Sequence, residues 1–150
     1  MRRAMALAAA GAVIGLGAGA AVPAMGATAD LRFFTVGQGQ KDTGHGLIIV
    51  EKVLQDGKKV GTDRLVCTFR GHNADCKITV RLTGRGQVKL TATLGENSNH
   101  GPLTIVGGTG EFAGASGDGN YRNITGNKTR VLLHVTTPDA ATPPPAVPYP

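Results

Sequence analysis

Three polar side chains stand inside strand-like runs, where they could do chemistry: Glu51, Tyr121 and His134. Glu51 alternates with Leu47, Ile49 and Val53 on one face of the run Leu47–Leu54. If that face points inward, the carboxylate loses its solvation and its pKa rises, which suits a general acid or a polar anchor. If the face points outward, Glu51 is an ordinary solvated carboxylate. Tyr121 stands at a strand start, either as a hydrogen-bond donor into a cavity or as a rim residue. His134 shares a face with Leu132, opposite Val131, Leu133 and Val135. It is either a proton carrier or a packed or surface imidazole. His45, His72 and His100 fall in loops and read as solvated.

Two cysteines define a second chemical question. Arg64–Phe69 and Cys76–Leu82 both alternate, with a loop between them. Folded as a hairpin, Cys67 falls opposite Cys76, Leu65 opposite Ile78 and Phe69 opposite Ala74, so one register puts both sulfurs and both apolar faces on one side. A disulfide is expected in an exported chain with two Cys. It closes a short loop, and its gain is modest, about 2–3 kcal/mol. His72 and Cys76 are four apart, but no second ligand pair accompanies them, and no metal site is expected.

Residues 101–119, GPLTIVGGTGEFAGASGDG, offer two incompatible readings. Gly108-Thr109-Gly110-Glu111-Phe112-Ala113 fits the dinucleotide fingerprint after an apolar strand. That fingerprint requires a helix to begin here and aim its N-terminus at a pyrophosphate. The following Gly114-Ala115-Ser116-Gly117-Asp118-Gly119 is poor helix material. Lys128 and Arg130 stand where the acidic ribose ligand is due. The reading that remains is structural: closely spaced glycines turn the backbone sharply inside a sheet, and Phe112 folds inward as a stopper. No cofactor is expected.

These residues need elements to position them. Residues 1–29 read as a secretory signal peptide: Arg2 and Arg3, an apolar run from Ala4 to Val22, then small residues. Ala27-Thr28-Ala29 is one cleavage site and Ala24-Met25-Gly26 its rival. Removing the two arginines lowers the net charge from +6 to +4. The remaining basic residues are scattered, without interleaved aromatics, so no nucleic-acid partner is expected and no membrane span remains after cleavage. Strand-like runs follow at 31–36, 47–54, 64–69, 76–82, 87–94, 103–106, 119–124 and 129–136, with 37–46 a loop by composition. Asp56-Gly57 is a turn signal. From Thr137 to Pro150 the chain carries six of its eight prolines and reads as an extended tail. Seven or eight short strands without an amphipathic helix suit an antiparallel barrel or sandwich over residues 30–136. The cavity wall expected of such a barrel is Leu65, Phe69, Ile78, Val80, Val88, Leu90, Phe112 and Leu133.

Ile105-Val106-Gly107-Gly108-Thr109-Gly110-Glu111-Phe112-Ala113-Gly114-Ala115-Ser116-Gly117 resembles the (I/V)VGGTGxFxxAxG signature of dirigent proteins and is similar to the ITGGxGxFxGAxG segment of allene oxide cyclases. Val53–Gly61 resembles the strand-turn-KxVG segment of the same superfamily. The resemblance implies an eight-stranded antiparallel, calycin-like β-barrel with an apolar cavity, in a secreted, bacterial-type member. Plant members form dimers or trimers and steer a phenoxy radical pair or an unsaturated fatty-acid epoxide into one stereochemical product without a cofactor. In the cyclases a glutamate on the first strand helps polarise the substrate; Phe33-Phe34-Thr35-Val36 holds no carboxylate. Three functions stand on this reading: cofactor-free cyclisation or coupling of an apolar molecule, non-catalytic carriage of one, and surface binding of a partner by a filled barrel.

Overall fold

A computed structural model describes residues 27–138 of the protein. Eight strands run in chain order: β1 (Ala27–Asp42), β2 (Gly46–Gln55), β3 (Lys58–Arg70), β4 (Asn73–Leu82), β5 (Gly86–Gly95), β6 (His100–Gly110), β7 (Ser116–Thr125) and β8 (Lys128–Thr137). Each pairs antiparallel with the next, and β8 returns to β1, closing the barrel. No helix interrupts the strands among the described residues. The expected signal peptide and Pro-rich tail lie outside the described residues, apart from Ala27–Ala29 and Thr137–Pro138. Ala27, Thr28 and Ala29 belong to β1, paired with Thr137, Thr136 and Val135 of β8, so the barrel is slightly longer than the expected 30–136.

Alternation decides which side chains are inside. Leu31 and Phe33 on β1, Ile78, Val80 and Leu82 on β4, and Val88 and Leu90 on β5 are all buried, while their neighbours along each strand are more exposed. Cys67 and Cys76 stand opposite one another in the β3–β4 hairpin and are joined by a disulfide. Leu65↔Ile78 and Phe69↔Ala74 complete the expected register. At Asp56-Gly57 both residues have positive φ, as the tight β2–β3 turn requires.

Four β-bulges modify this pattern. In β2–β3 the pairing runs Gln55↔Lys58 and Leu54↔Lys59, then jumps to Val53↔Gly61. In β1–β2 it jumps from Gly37↔Glu51 to Gly39↔Val50, leaving Gln38 as the extra residue. That bulge explains why Gly37–Asp42, a loop by composition, is strand: the reset register gives Leu47–Val50 of β2 their partners, and only Thr43–His45 connect the two strands. The bulges of β5–β6 and β7–β8 leave Val106 and Ile124 as extra residues, which accounts for the exposure of these two aliphatic side chains.

The glycine-rich stretch is a corner. β6 ends at Gly110, a turn follows through Gly114, and β7 begins at Ser116. Phe112 and Ala115 point inward and are buried, closing one end of the barrel. The turn is held by Phe112 N–H donating to Thr109 O and Ala115 N–H donating to Phe112 O. Outside it, the Arg85 guanidinium donates two hydrogen bonds to the Glu111 carboxylate and lies 5.2 Å from the centre of the Phe112 ring. A side chain at Gly108 would press into the Phe112 carbonyl oxygen and place its Cβ 2.5 Å from Gln87 O and 2.8 Å from Phe112 Cβ. All three atoms are held by the corner or by β5, so Gly108→Ala should destabilise the barrel by about 2–4 kcal/mol. The control is Gly39→Ala, where nothing lies within 4 Å, and a cost below about 1 kcal/mol is expected. Urea melts of the two variants check this; equal costs would refute the close-packed corner.

Candidate functional site

The end opposite Phe112 is hollow. A cavity of about 690 Å³ enters there, between the β5–β6 loop and the β7–β8 turn, and reaches down to Phe33, Val80 and Leu90. Gln38, Gln40, Glu96, Ser98, Asn123 and Asn127 form its polar mouth. Its deeper wall is apolar, from Phe33, Leu65, Ile78, Val80, Leu90 and Val131, and is interrupted by Thr35, Glu51, Asp63 and Tyr121.

Glu51 faces inward, half-buried, and stands directly opposite Asp63 across the β2–β3 ladder. Asp63 is deeper, with 5% of its surface exposed. Thr35, at 1% exposed, comes from β1, and its hydroxyl lies beside Glu51. The two carboxyl groups face one another across the ladder, and their like charges disfavour ionising both. Burial is the largest cause that raises Asp63, followed by the Glu51 charge and the hydrogen bond that a protonated Asp63 donates to Glu51, from an ordinary 3.8 to about 8. Burial also raises Glu51, partly offset by its hydrogen bonds with Thr35 and Asp63. Both groups are shifted upward, and Asp63, the deeper acid, holds its proton the more tightly. Asp63 Oδ1 is buried and has no hydrogen-bond partner.

Of the sequence-derived candidates, Glu51 and Tyr121 line the cavity. Tyr121 is buried, and its ring lies over Gly101 on the neighbouring strand. His134 is a correction: it lies on the outer face of β8, exposed, with Nδ1 2.8 Å from Asp30 Oδ1 of β1. Its position between inward-facing Leu133 and Val135 forces this orientation. Leu65, Ile78, Val80 and Leu90 are on the cavity wall, whereas Val88, Phe112 and Leu133 are packed at the closed end and do not reach it. Phe69 is a second correction. It lies at the outer end of β3, beyond the sheltered part of the wall, and is 48% exposed.

Asp63 and Thr35 were not among the candidates. Thr35 alternates with Leu31 and Phe33, and Asp63 with Leu65 and Cys67, so parity alone puts each on the inner face. The partnership with Glu51 is another matter. Extended from the Asp56-Gly57 turn without a bulge, the ladder places Thr62 opposite Glu51; the bulge beyond Leu54 substitutes Asp63.

No protein-family model matches the chain, and no curated protein does. Solved structures do. A pyocyanin demethylase superposes with a TM-score of 0.61 at 21% identity, covering 72% of this chain and all of its own. The pterocarpan synthase dirigent protein GePTS1 superposes with a TM-score of 0.63 at 15% identity, covering 84% of this chain and 99% of its own. A second, PsPTS1, gives 0.59 at 13%, covering 75% and 97%. The fold is that of the dirigent-like β-barrels.

The proton on Asp63 links stability to pH. The folded state holds it more tightly than the unfolded chain, so this contribution is complete below pH 3.8 and is lost as pH rises through about 8. Asp63→Asn cannot lose it. Thermal melts at pH 4, 6 and 8 should show the variant gaining on the wild type as pH rises, with the largest advantage at pH 8. Parallel curves would refute the raised pKa.

Proposed function

We propose that the protein binds an apolar small molecule inside the barrel and uses the Glu51–Asp63 pair to move a proton on it without a cofactor. One observation carries this reading: two carboxyl groups facing one another across the β2–β3 ladder line a cavity of about 690 Å³ that is otherwise mostly apolar in its depth. That volume is in the range of small-molecule sites, and a protonated acid beside an ionised one is the arrangement by which general acid and base roles are divided.

The chemistry balances within the pair. Asp63 O–H gives its proton to an oxygen of the bound molecule, an epoxide or a carbonyl, as that oxygen gains charge. Glu51 takes a proton from a carbon of the same molecule, and its electron pair forms the new π bond or ring bond. One proton has left the pair and one has entered, and exchange between the two carboxyls restores the starting state. An isomerisation or cyclisation meets this balance with no oxidant or reductant. Thr35 holds Glu51 in place, and the apolar wall keeps water from the reacting atoms. Fold alone assigns no reaction, but that barrels named for a demethylase and for a synthase share this architecture supports a small-molecule role.

The export signal read over residues 1–29 is in keeping with the Cys67–Cys76 disulfide. Cleavage after Gly26 leaves all of β1, whereas cleavage after Ala29 removes three of its pairs with β8.

Two measurements test the function. The neutral dye Nile red should bind one per barrel with enhanced emission, since the deep wall of the cavity is mostly apolar. The protein should also shift the stereoisomer ratio of a supplied epoxide cyclisation or phenoxy-radical coupling. Asp63→Asn and Glu51→Gln should each slow the epoxide cyclisation by about 10²-fold or more. Dye binding with no change in either product ratio would make the barrel a carrier; no binding at all would remove the small-molecule reading.

A further inference from the structure

The chain is basic, with a net charge of +6. Its cavity has the opposite character. Among the described residues, the lining includes Glu51, Asp63 and Glu96 but no lysine, arginine or histidine. Glu96 stands at the mouth with its carboxylate 2.9 Å from His72 Nδ1, outside the lining. The two deep acids have no cationic partner: Glu51 meets Thr35 and Asp63, and Asp63 meets Glu51 on one side and Val80 of β4 on the other. Asp63 Oδ1 is left without a donor, on a side chain 5% exposed that lines the cavity. Tyr121 is the remaining titratable side chain on the deep wall, and its hydroxyl can donate or accept a hydrogen bond.

An unpartnered buried acceptor calls for a donor, and an uncompensated buried negative charge calls for a positive one. A carboxylate ligand meets the reverse situation: no cation to pair with and a like charge beside it. We infer that the cavity is built for an apolar molecule bearing a basic nitrogen, whose N–H donates to Asp63 Oδ1 beside the Glu51 charge, and that it rejects apolar carboxylates. This rests on the small-molecule reading above and narrows it to a chemical class. An apolar amine or a nitrogen heterocycle fits; a fatty-acid anion does not.

The test compares three probes with one ring system: 1-naphthylmethylamine, 1-naphthalenemethanol and 1-naphthoate. Binding of each to the purified protein is measured by calorimetry at pH 7 and physiological salt. The amine should bind at least tenfold tighter than the alcohol, and the naphthoate at least tenfold weaker. Bulk attraction to a basic protein would favour the naphthoate, so an amine preference reports the cavity and not the surface. In Glu51→Gln, shown to be folded by its circular dichroism, the amine's advantage over the alcohol should fall below threefold. If the alcohol binds but the amine is no tighter, or the naphthoate is equal, the charge inference is overturned while the cavity stands. If none of the three binds, the cavity reading falls and takes this inference with it.

Discussion

Closure of the sheet is the constraint from which the rest follows. Because β8 hydrogen-bonds back to β1, no strand has a free edge, and every strand must present one face to a common interior. Eight strands enclose a space that side chains can fill, but only if something also blocks the ends. At one end the β6–β7 corner does this by folding Phe112 and Ala115 inward. At the other, the β3–β4 hairpin turns tightly at Gly71-His72, with Arg70 paired to Asn73, and the mouth residues are polar and leave the space open. The molecule is thus a cup with an apolar floor, and its asymmetry comes from connections, not from the strands themselves.

Within that cup the polar groups are placed by register. A bulge displaces one strand against its neighbour by a single residue, and with a period of two this exchanges inner for outer partners. The β2–β3 bulge brings Asp63, not Thr62, opposite Glu51, and the Gly37/Gly39 bulge of β1 begins just past Glu51. Without the β2–β3 bulge Glu51 would face a hydroxyl. With it, two acids face one another, one half-buried and the other almost fully buried. Such a pair costs folding free energy once it is ionised. A small barrel that carries that cost in the open half of its interior, and not in the packed half, has these polar groups on the cavity wall.

The architecture was legible in the sequence because barrel strands advertise themselves by alternation and the corner by its glycines. The Cys67↔Cys76 register followed from two apolar faces that had to coincide, and Asp56-Gly57 marked its turn through backbone conformation alone. The site was legible only in part. Glu51 was visible through Ile49 and Val53 on its face, and Tyr121 through its strand. Asp63 lay one residue outside the run beginning at Arg64, and its pairing depended on a bulge that no local residue type announces. His134 shows the converse limit: alternation placed it opposite Leu133, but which of the two faces was inner depended on the closed barrel. Phe69 had the right parity and the wrong height, and parity carries no information about distance from the rim.

The position of the acids also limits what the fold can be asked to predict. The resemblance to allene oxide cyclases points to a carboxylate on the first strand. Here β1 supplies Thr35, and the carboxyls come from β2 and β3. One strand round the wall is a lateral step of about 4.8 Å and, in a barrel of eight, a turn of roughly 45° about its axis. An acid moved by one or two such steps addresses a different atom of a ligand lying along the axis, from a different side. A reaction defined by where one proton is delivered does not survive that displacement unless the ligand rotates with it. The container is therefore shared with the structural neighbours, while the proposed proton transfer would depend on residues 35, 51 and 63 of this chain.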